Sequence, residues 1–203
     1  LTGSSAITGQ NGILNNNFFK ILFKRKDKKT LKALENEIEA QLLKIKNSGV
    51  QISHIDGHEH IHIIPSINKI VRKLAQKYNI ERIREINESF AETFKHNLRT
   101  ASPANIIKLF LLKFLSLFNE NRRETAFYSI LNTCEINGKN LFSYLENTKN
   151  QQVEVMLHPG LREFDTGKSL LDARFQEFLK SKYRKQEFDL CFCRKFEEYE
   201  VAE

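Results

Sequence analysis

A chain of 203 residues with 40% hydrophobic and 28% charged residues has the length and balance of one globular domain, which excludes a disordered tail, a collagen-like chain and a disulfide-framed mini-protein. The formal charge of +7 raises the question of a nucleic-acid partner, yet the densest basic run, Lys20, Lys24, Arg25, Lys26, Lys28, Lys29 and Lys32, leads directly into apolar residues at helical spacing, without an aromatic-interleaved platform or zinc-finger spacing. No apolar stretch reaches the length of a membrane span and the first ten residues are polar, so a cytoplasmic protein with no transmembrane segment and no nucleic-acid partner is expected.

In chain order, Leu31, Leu34, Ile38, Leu42 and Ile45 recur at the period of a helix and predict an amphipathic helix over 30–47, ended by Ser48-Gly49, where glycine accepts left-handed backbone. A short strand over 50–55 follows. Pro65 and Ser66 open a second helix whose buried stripe is Ile67, Ile70, Val71 and Leu74, running to Tyr78-Asn79, and 80–86 reads as the next strand. Residues 105–119 are almost solidly apolar but too short to span a bilayer; a core helix, a lid helix and a surface that meets a lipid-like substrate all stay open. A short helix over 141–146, a strand over 152–157 and a helix over 170–182 complete the pattern. Cys134, Cys191 and Cys193 have no Cys-x-x-Cys spacing, which fits a reduced compartment; Cys191 and Cys193 could share a strand face, and all three read as small packing residues. Helices and strands alternating at these spacings call for parallel strands joined by helical crossovers, hence an α/β sheet or barrel.

Four of the six histidines, His54, His58, His60 and His62, fall within nine residues together with Asp56, and Pro65 closes the segment. A continuing strand would place all five side chains on one face, because strand periodicity is two. Gly57 is expected to break the strand and leave His58, His60 and His62 on the loop at its carboxyl end, the edge where parallel α/β architectures assemble active sites. Imidazoles and carboxylates crowded in this way suit a divalent metal, although one catalytic ion takes about three protein ligands and keeps a position open for water. A second constellation, an apolar strand ending in His158-Pro159-Gly160, repeats the design. His158 is a candidate general acid or base because imidazole titrates near neutrality. His96 lies in a polar segment and is expected to be simply exposed.

The ordered set of His54-Ile-Asp56-Gly-His58-Glu-His60-Ile-His62 with Pro65, then Ile83-Arg84, then Glu154-Val-Met-Leu-His158-Pro-Gly, resembles the YdjC-like carbohydrate deacetylases, the group that includes chitooligosaccharide and hopanoid-pathway deacetylases. Arg184-Lys-Gln-Glu187 and Arg194-Lys-Phe-Glu-Glu are similar to that family's last helix and final short motif. The resemblance implies an α/β fold, a (β/α) barrel of about seven strands, and metal-dependent hydrolysis of an N-acetyl group on an oligosaccharide or sugar-lipid. It implies His58 as a ligand of a divalent ion, magnesium or zinc, and His158 as the group that delivers a proton to the departing amine. Asp56, His60, His62 and Arg84 would surround the metal site or bind sugar hydroxyls, and a homodimer is an expectation of assembly.

Two features of the family pattern are missing: an Asp-Asp pair ending the first strand and a Gly-x-His-x-x-Leu-Thr motif, of which Leu1-Thr2 looks like the tail. With Met156 as its only methionine, the chain is expected to be one deacetylase domain over 1–203 lacking its N-terminal portion, an incomplete barrel without its first strands. Weak metal binding and little turnover by this chain alone are therefore expected. Two other readings compete. An amidohydrolase-type barrel also uses a His-x-His pair but needs more histidines downstream than His96 and His158; a non-catalytic remnant of a split or decaying gene would expose sheet edges and aggregate.

Overall fold

The computed structural model describes residues 1–3, 5–8, 14, 18–98, 102–119, 125–133, 135–148, 151–161 and 181–199. Its helices are α1 (Phe18–Phe23), α2 (Lys28–Lys46), α3 (Pro65–Tyr78), α4 (Phe90–His96), α5 (Pro103–Ser116), α6 (Gly138–Asn147) and α7 (Lys182–Leu190). The strands are β1 (His54–Ile55), β2 (Arg82–Ile83), β3 (Ala126–Tyr128) and β4 (Val153–Val155), paired in parallel as β1 with β2 and β3 with β4. The described residues thus form a mixed α/β structure, mostly helical, with two small parallel sheets. Parallel pairing follows the expectation; a closed barrel is not formed among the described residues. Two compact units emerge, one of Leu1–Glu85 with Leu112–Arg122 and the other of Ile86–Leu111 with Arg123–Glu203.

In the first unit, α2 starts where the Asp27 carboxylate accepts the Thr30 N–H at 2.8 Å, satisfying one of the donors that a helix start leaves open. The helix gives way at Ser48-Gly49, with Gly49 at φ 83°, as the sequence predicts. Helix α3 has Pro65 in its first turn and ends on Asn79 in left-handed backbone, where the Ile80 N–H reaches the Ala75 carbonyl at 2.8 Å. Its buried stripe is Ile67, Val71, Leu74 and Ala75, while Ile70 is only half-buried. Lys73 and Lys77 reach from α3 to Glu35 (2.6 Å) and Glu39 (2.5 Å) of α2. These exposed pairs add little beside the apolar burial between the helices.

The strands predicted over 50–55 and 80–86 shrink to two residues each. Residues 50–53 are exposed or half-buried, so no apolar face holds them in a sheet. What survives is the part that sets the register: His54 opposite Arg82, Ile55 opposite Ile83, and the Arg84 N–H bonded to the Ile55 carbonyl at 3.0 Å.

In the second unit, β3 is buried along its length and pairs with β4 so that Phe127 opposes Glu154 and Tyr128 opposes Val155. The core gathers Tyr128, Ile136, Leu141, Phe142, Tyr144, Leu145 and Leu190. Helix α6 opens on Asn137, whose side chain accepts the Asn140 N–H at 3.0 Å, and so starts earlier than the apolar run over 141–146 suggests. Of the helix predicted over 170–182, all but residues 181 and 182 lie outside the described residues, and Lys182 begins α7. Cys191 and Cys193 do not share a strand: they follow α7, Cys191 exposed and Cys193 half-buried against the core, while Cys134 lies outside the described residues. Helix α5, divided between the two units after Leu111, buries Leu109, Leu112 and Leu115 but exposes Ile107, Phe110 and Phe114, so it is apolar on more than its buried side. No described helix is long and apolar enough to cross a membrane.

Candidate functional site

The parallel register carries one step further than the strands themselves. With residue 54 opposite 82 and 55 opposite 83, residue 84 falls beside residue 56. Arg84 is 4% exposed, and its Nη2 donates to Asp56 Oδ1 at 2.6 Å and to His60 Nδ1 at 2.7 Å. A buried guanidinium needs such a carboxylate and further acceptors, because removing it from water uncompensated costs several kcal/mol. Burial pushes the Asp56 carboxyl above its usual range, against the pull of Arg84 and His54.

His62 is 1% exposed and spends both ring nitrogens inside the fold. The Gly57 N–H donates to Nδ1 at 2.9 Å, and Nε2 lies 3.0 Å from the Arg84 carbonyl. An amide can only donate and a carbonyl can only accept, so the neutral Nε2–H tautomer is imposed. Burial, then the neighbouring Arg84 charge, push the His62 pKa down to about 4. The 3.8 Å approach of His62 to Asp56 is therefore not an ion pair near neutrality. The turn that brings Gly57 against His62 leaves no room for a side chain: a Cβ at Gly57 would lie 2.8 Å from His62 Nδ1. His62, which the resemblance places around a metal site or against sugar hydroxyls, is held as a buried strut between the turn and the backbone that follows β2.

Residues 58–63 form a 3-10 turn interrupted at Glu59 (φ 51°) and His60 (φ 62°), two consecutive non-glycine residues in left-handed backbone. Such backbone costs of order 1 kcal/mol or more per residue and persists where side chains hold it. Here the Glu59 carboxylate accepts the N–H of Phe18 at 3.0 Å, and Arg84 holds the His60 ring. His58, by contrast, is exposed, as is His54, whose Nδ1 lies 2.9 Å from Ser53 Oγ.

This arrangement tests the fit of a metal. Arg84 can only donate, so His60 Nδ1 must accept, and the neutral His60 carries its proton on Nε2. His60 and His62 are thereby poor ligands as held, and His58 is the member of the 58–62 histidines whose imidazole stands exposed. Among the described residues no three His, Cys, Asp or Glu side chains gather as a group able to hold a metal ion. Among the described residues these donors do not make a complete metal centre.

In the second unit, His158 leaves β4 on the His-Pro-Gly turn, and its side chain is 29% exposed. Glu187 of α7, 0% exposed, receives this turn: its Oε2 accepts the His158 backbone N–H, and its Oε1 accepts the Ile136 N–H at 3.3 Å. The same Oε2 lies 3.9 Å from His158 Nδ1. Burial pushes the Glu187 carboxyl up, opposed by those two backbone bonds. The Gly160 N–H donates to the Arg184 carbonyl at 3.2 Å, and the Arg184 guanidinium lies so close over Gly160 that a Cβ there would meet its Nη2 at 2.0 Å. The resemblance to a last helix in Arg184-Lys-Gln-Glu187 thus acquires a physical meaning, since this helix clamps the histidine turn.

The sequence reading singled out neither Glu187 as a site residue nor Glu88. Glu88 is 0% exposed and accepts the N–H groups of Ile130 (2.6 Å) and Leu131 (3.3 Å) and the Thr93 hydroxyl (3.1 Å); burial raises its pKa to about 7. The readable signal for Glu187 was its place three residues before Leu190, which makes it the second buried member of α7. His96 is not simply exposed: its Nδ1 is 2.8 Å from Ser143 Oγ and its ring meets Tyr144 edge-on.

A family profile described as YdjC-like protein matches residues 2–199 of the chain. A carbohydrate deacetylase of Oceanobacillus iheyensis is 24% identical over 143 residues, covering 70% of this chain and 50% of that protein. A carbohydrate deacetylase of Clostridium beijerinckii is 29% identical over 125 residues, covering 61% of this chain and 41% of that protein. One from Brevibacillus brevis is 43% identical over 47 residues, covering 23% of this chain and 19% of that protein. The chain spans about half or less of the length of the curated relatives it matches. No solved structure matches it.

Proposed function

Because the chain belongs to the YdjC-like protein family, we propose that it carries part or all of a carbohydrate deacetylase, a hydrolase that removes the acetyl group from an N-acetylated oligosaccharide or sugar-lipid, on a (β/α) barrel scaffold. The observation that carries the reading is the His158 turn, a half-exposed imidazole at the end of a parallel strand, anchored by a buried carboxylate. Hydrolysis of an acetamide expels an amine, which must be protonated as the C–N bond breaks, and imidazolium is suited to deliver that proton near neutral pH. His158 is assigned that role. Asp56, Arg84 and His60 form a fixed polar cluster whose exposed member, Asp56, can accept a hydrogen bond from a sugar hydroxyl. Dependence on magnesium or zinc is part of the proposal, with His58 as the imidazole available to the ion.

The test is acetate release from N-acetylated chitooligosaccharides by the natural gene product that contains these 203 residues, with magnesium or zinc supplied, beside the His158→Ala variant. General acid catalysis is worth about 10²–10⁴ in rate, so His158→Ala is expected to lower kcat within that range with little change in KM. No acetate release from any N-acetylated sugar, or a wild-type rate in the variant, would refute the reading.

A further inference from the structure

We propose that Glu187 is a positioning residue for His158: it holds the histidine turn through the backbone and orients the imidazole so that Nδ1 carries a proton towards the carboxylate and Nε2 is left for proton transfer. The inference rests on the deacetylase reading for its meaning in catalysis, but its geometry stands on α7 and the turn alone.

Three observations converge on it. Glu187 is fully buried, yet it is not a packing residue, because its two oxygens are divided between separate segments: Oε1 takes the Ile136 N–H at 3.3 Å and Oε2 takes the His158 N–H. A buried carboxylate is retained at such cost only where several donors converge on it. Second, Oε2 lies 3.9 Å from His158 Nδ1, in ion-pair range and beyond a formed hydrogen bond; contacts of this kind in catalytic sites commonly tighten when substrate binds. Third, the turn has little freedom to move away, since Gly160 is bonded to the Arg184 carbonyl at 3.2 Å and lies under the Arg184 guanidinium.

The chemistry follows from which nitrogen faces the carboxylate. A carboxylate can only accept, so it favours the tautomer with the proton on Nδ1 and stabilises the imidazolium. The imidazolium then gives up its Nε2 proton to the departing amine and returns to the neutral Nδ1–H form, with no other proton to move. Arg184 of α7, whose guanidinium lies over Gly160, is a cation beside the same turn.

The experiment is ¹⁵N NMR of the His158 side chain in the full chain, reading its tautomer above its pKa and its titration, in the wild type and in Glu187→Gln. The glutamine keeps the shape and one carbonyl acceptor for the backbone N–H groups but removes the charge. A unit charge about 4 Å away, partly screened by solvent, should change proton affinity by roughly tenfold. The expected result is Nδ1–H in the wild type and a fall of about tenfold or more in His158 proton affinity in Glu187→Gln, with the other histidines unchanged. An Nε2–H wild type, or an unchanged titration in the variant, overturns the proposal. Should Glu187→Gln not fold, the wild-type tautomer decides alone. A chain that releases no acetate yet shows Nδ1–H and the titration shift upholds this inference and loses only the deacetylase reading.

Discussion

Replacing His62 by phenylalanine keeps a ring in the same buried space while removing both of its hydrogen-bonding nitrogens. The Gly57 N–H and the Arg84 carbonyl, now bonded at 2.9 and 3.0 Å, would then be buried without this partner. An orphaned buried polar group costs about 1–3 kcal/mol, so the loss should be roughly 2–6 kcal/mol in the unit that holds the turn. The wild type also carries a pH signature. His62 has a folded-state pKa of about 4 against 6.5 ordinarily, so between these values the unfolded chain takes up a proton that the folded chain refuses. Stability from this group is full above pH 6.5 and is lost as pH falls towards 4, by about 3 kcal/mol at 1.36 kcal/mol per unit. Native-state exchange of the Gly57 amide hydrogen reads both effects locally. After correction for intrinsic exchange rates, protection at Gly57 should be high at pH 7.5 and decline towards pH 4.5 in the wild type, and should be low and flat in His62→Phe. Equal protection in the two proteins, or a flat wild-type profile, would show that His62 is not the strut described here.

Two further outcomes are expected in the second unit. The Glu88 pKa of about 7 lies above its ordinary 4.5, so the folded chain keeps a proton that the unfolded chain releases between these values. Its contribution is full below pH 4.5 and falls away by about 3 kcal/mol as pH rises through 7. Glu88→Gln should flatten that dependence in urea unfolding measured at pH 5 and pH 8, and an unchanged slope would count against it. Gly160→Ala would place a Cβ 2.0 Å from Arg184 Nη2 and 2.3 Å from Cζ; the guanidinium ends a flexible side chain and must swing off the turn, so the cost should be no more than about 1 kcal/mol. Adding Arg184→Ala should recover most of the loss; a double variant no more stable than Gly160→Ala would place the strain elsewhere.

How much was legible in the sequence varies with how local the cause is. Helices α2 and α3 were readable because their determinants lie within a turn or two: the 3.6 period, Pro65 at a helix start, Ser48-Gly49 and Asn79 at helix ends. Strands β3 and helix α4 went unread because three residues and two turns are too short to show a period. The strand over 50–55 was overdrawn for the opposite reason, since an apolar-polar alternation suggests a strand but only a neighbouring strand makes one.

The sequence by itself determined the helix stripes and their ends, the two histidine turns at strand ends, and the ordered motifs that place the chain in its family. Only the tertiary structure decided what each histidine does. His58, His60 and His62 are equivalent as letters at spacing two, yet one is exposed, one is held by a guanidinium and one bridges a turn to β2. The partner that separates them, Arg84, arrives from another strand through parallel register, and Glu187 reaches His158 from a helix 29 residues away. An imidazole's tautomer and proton affinity are set by the donors and acceptors that surround it in space, and period or spacing along the chain carries no record of them.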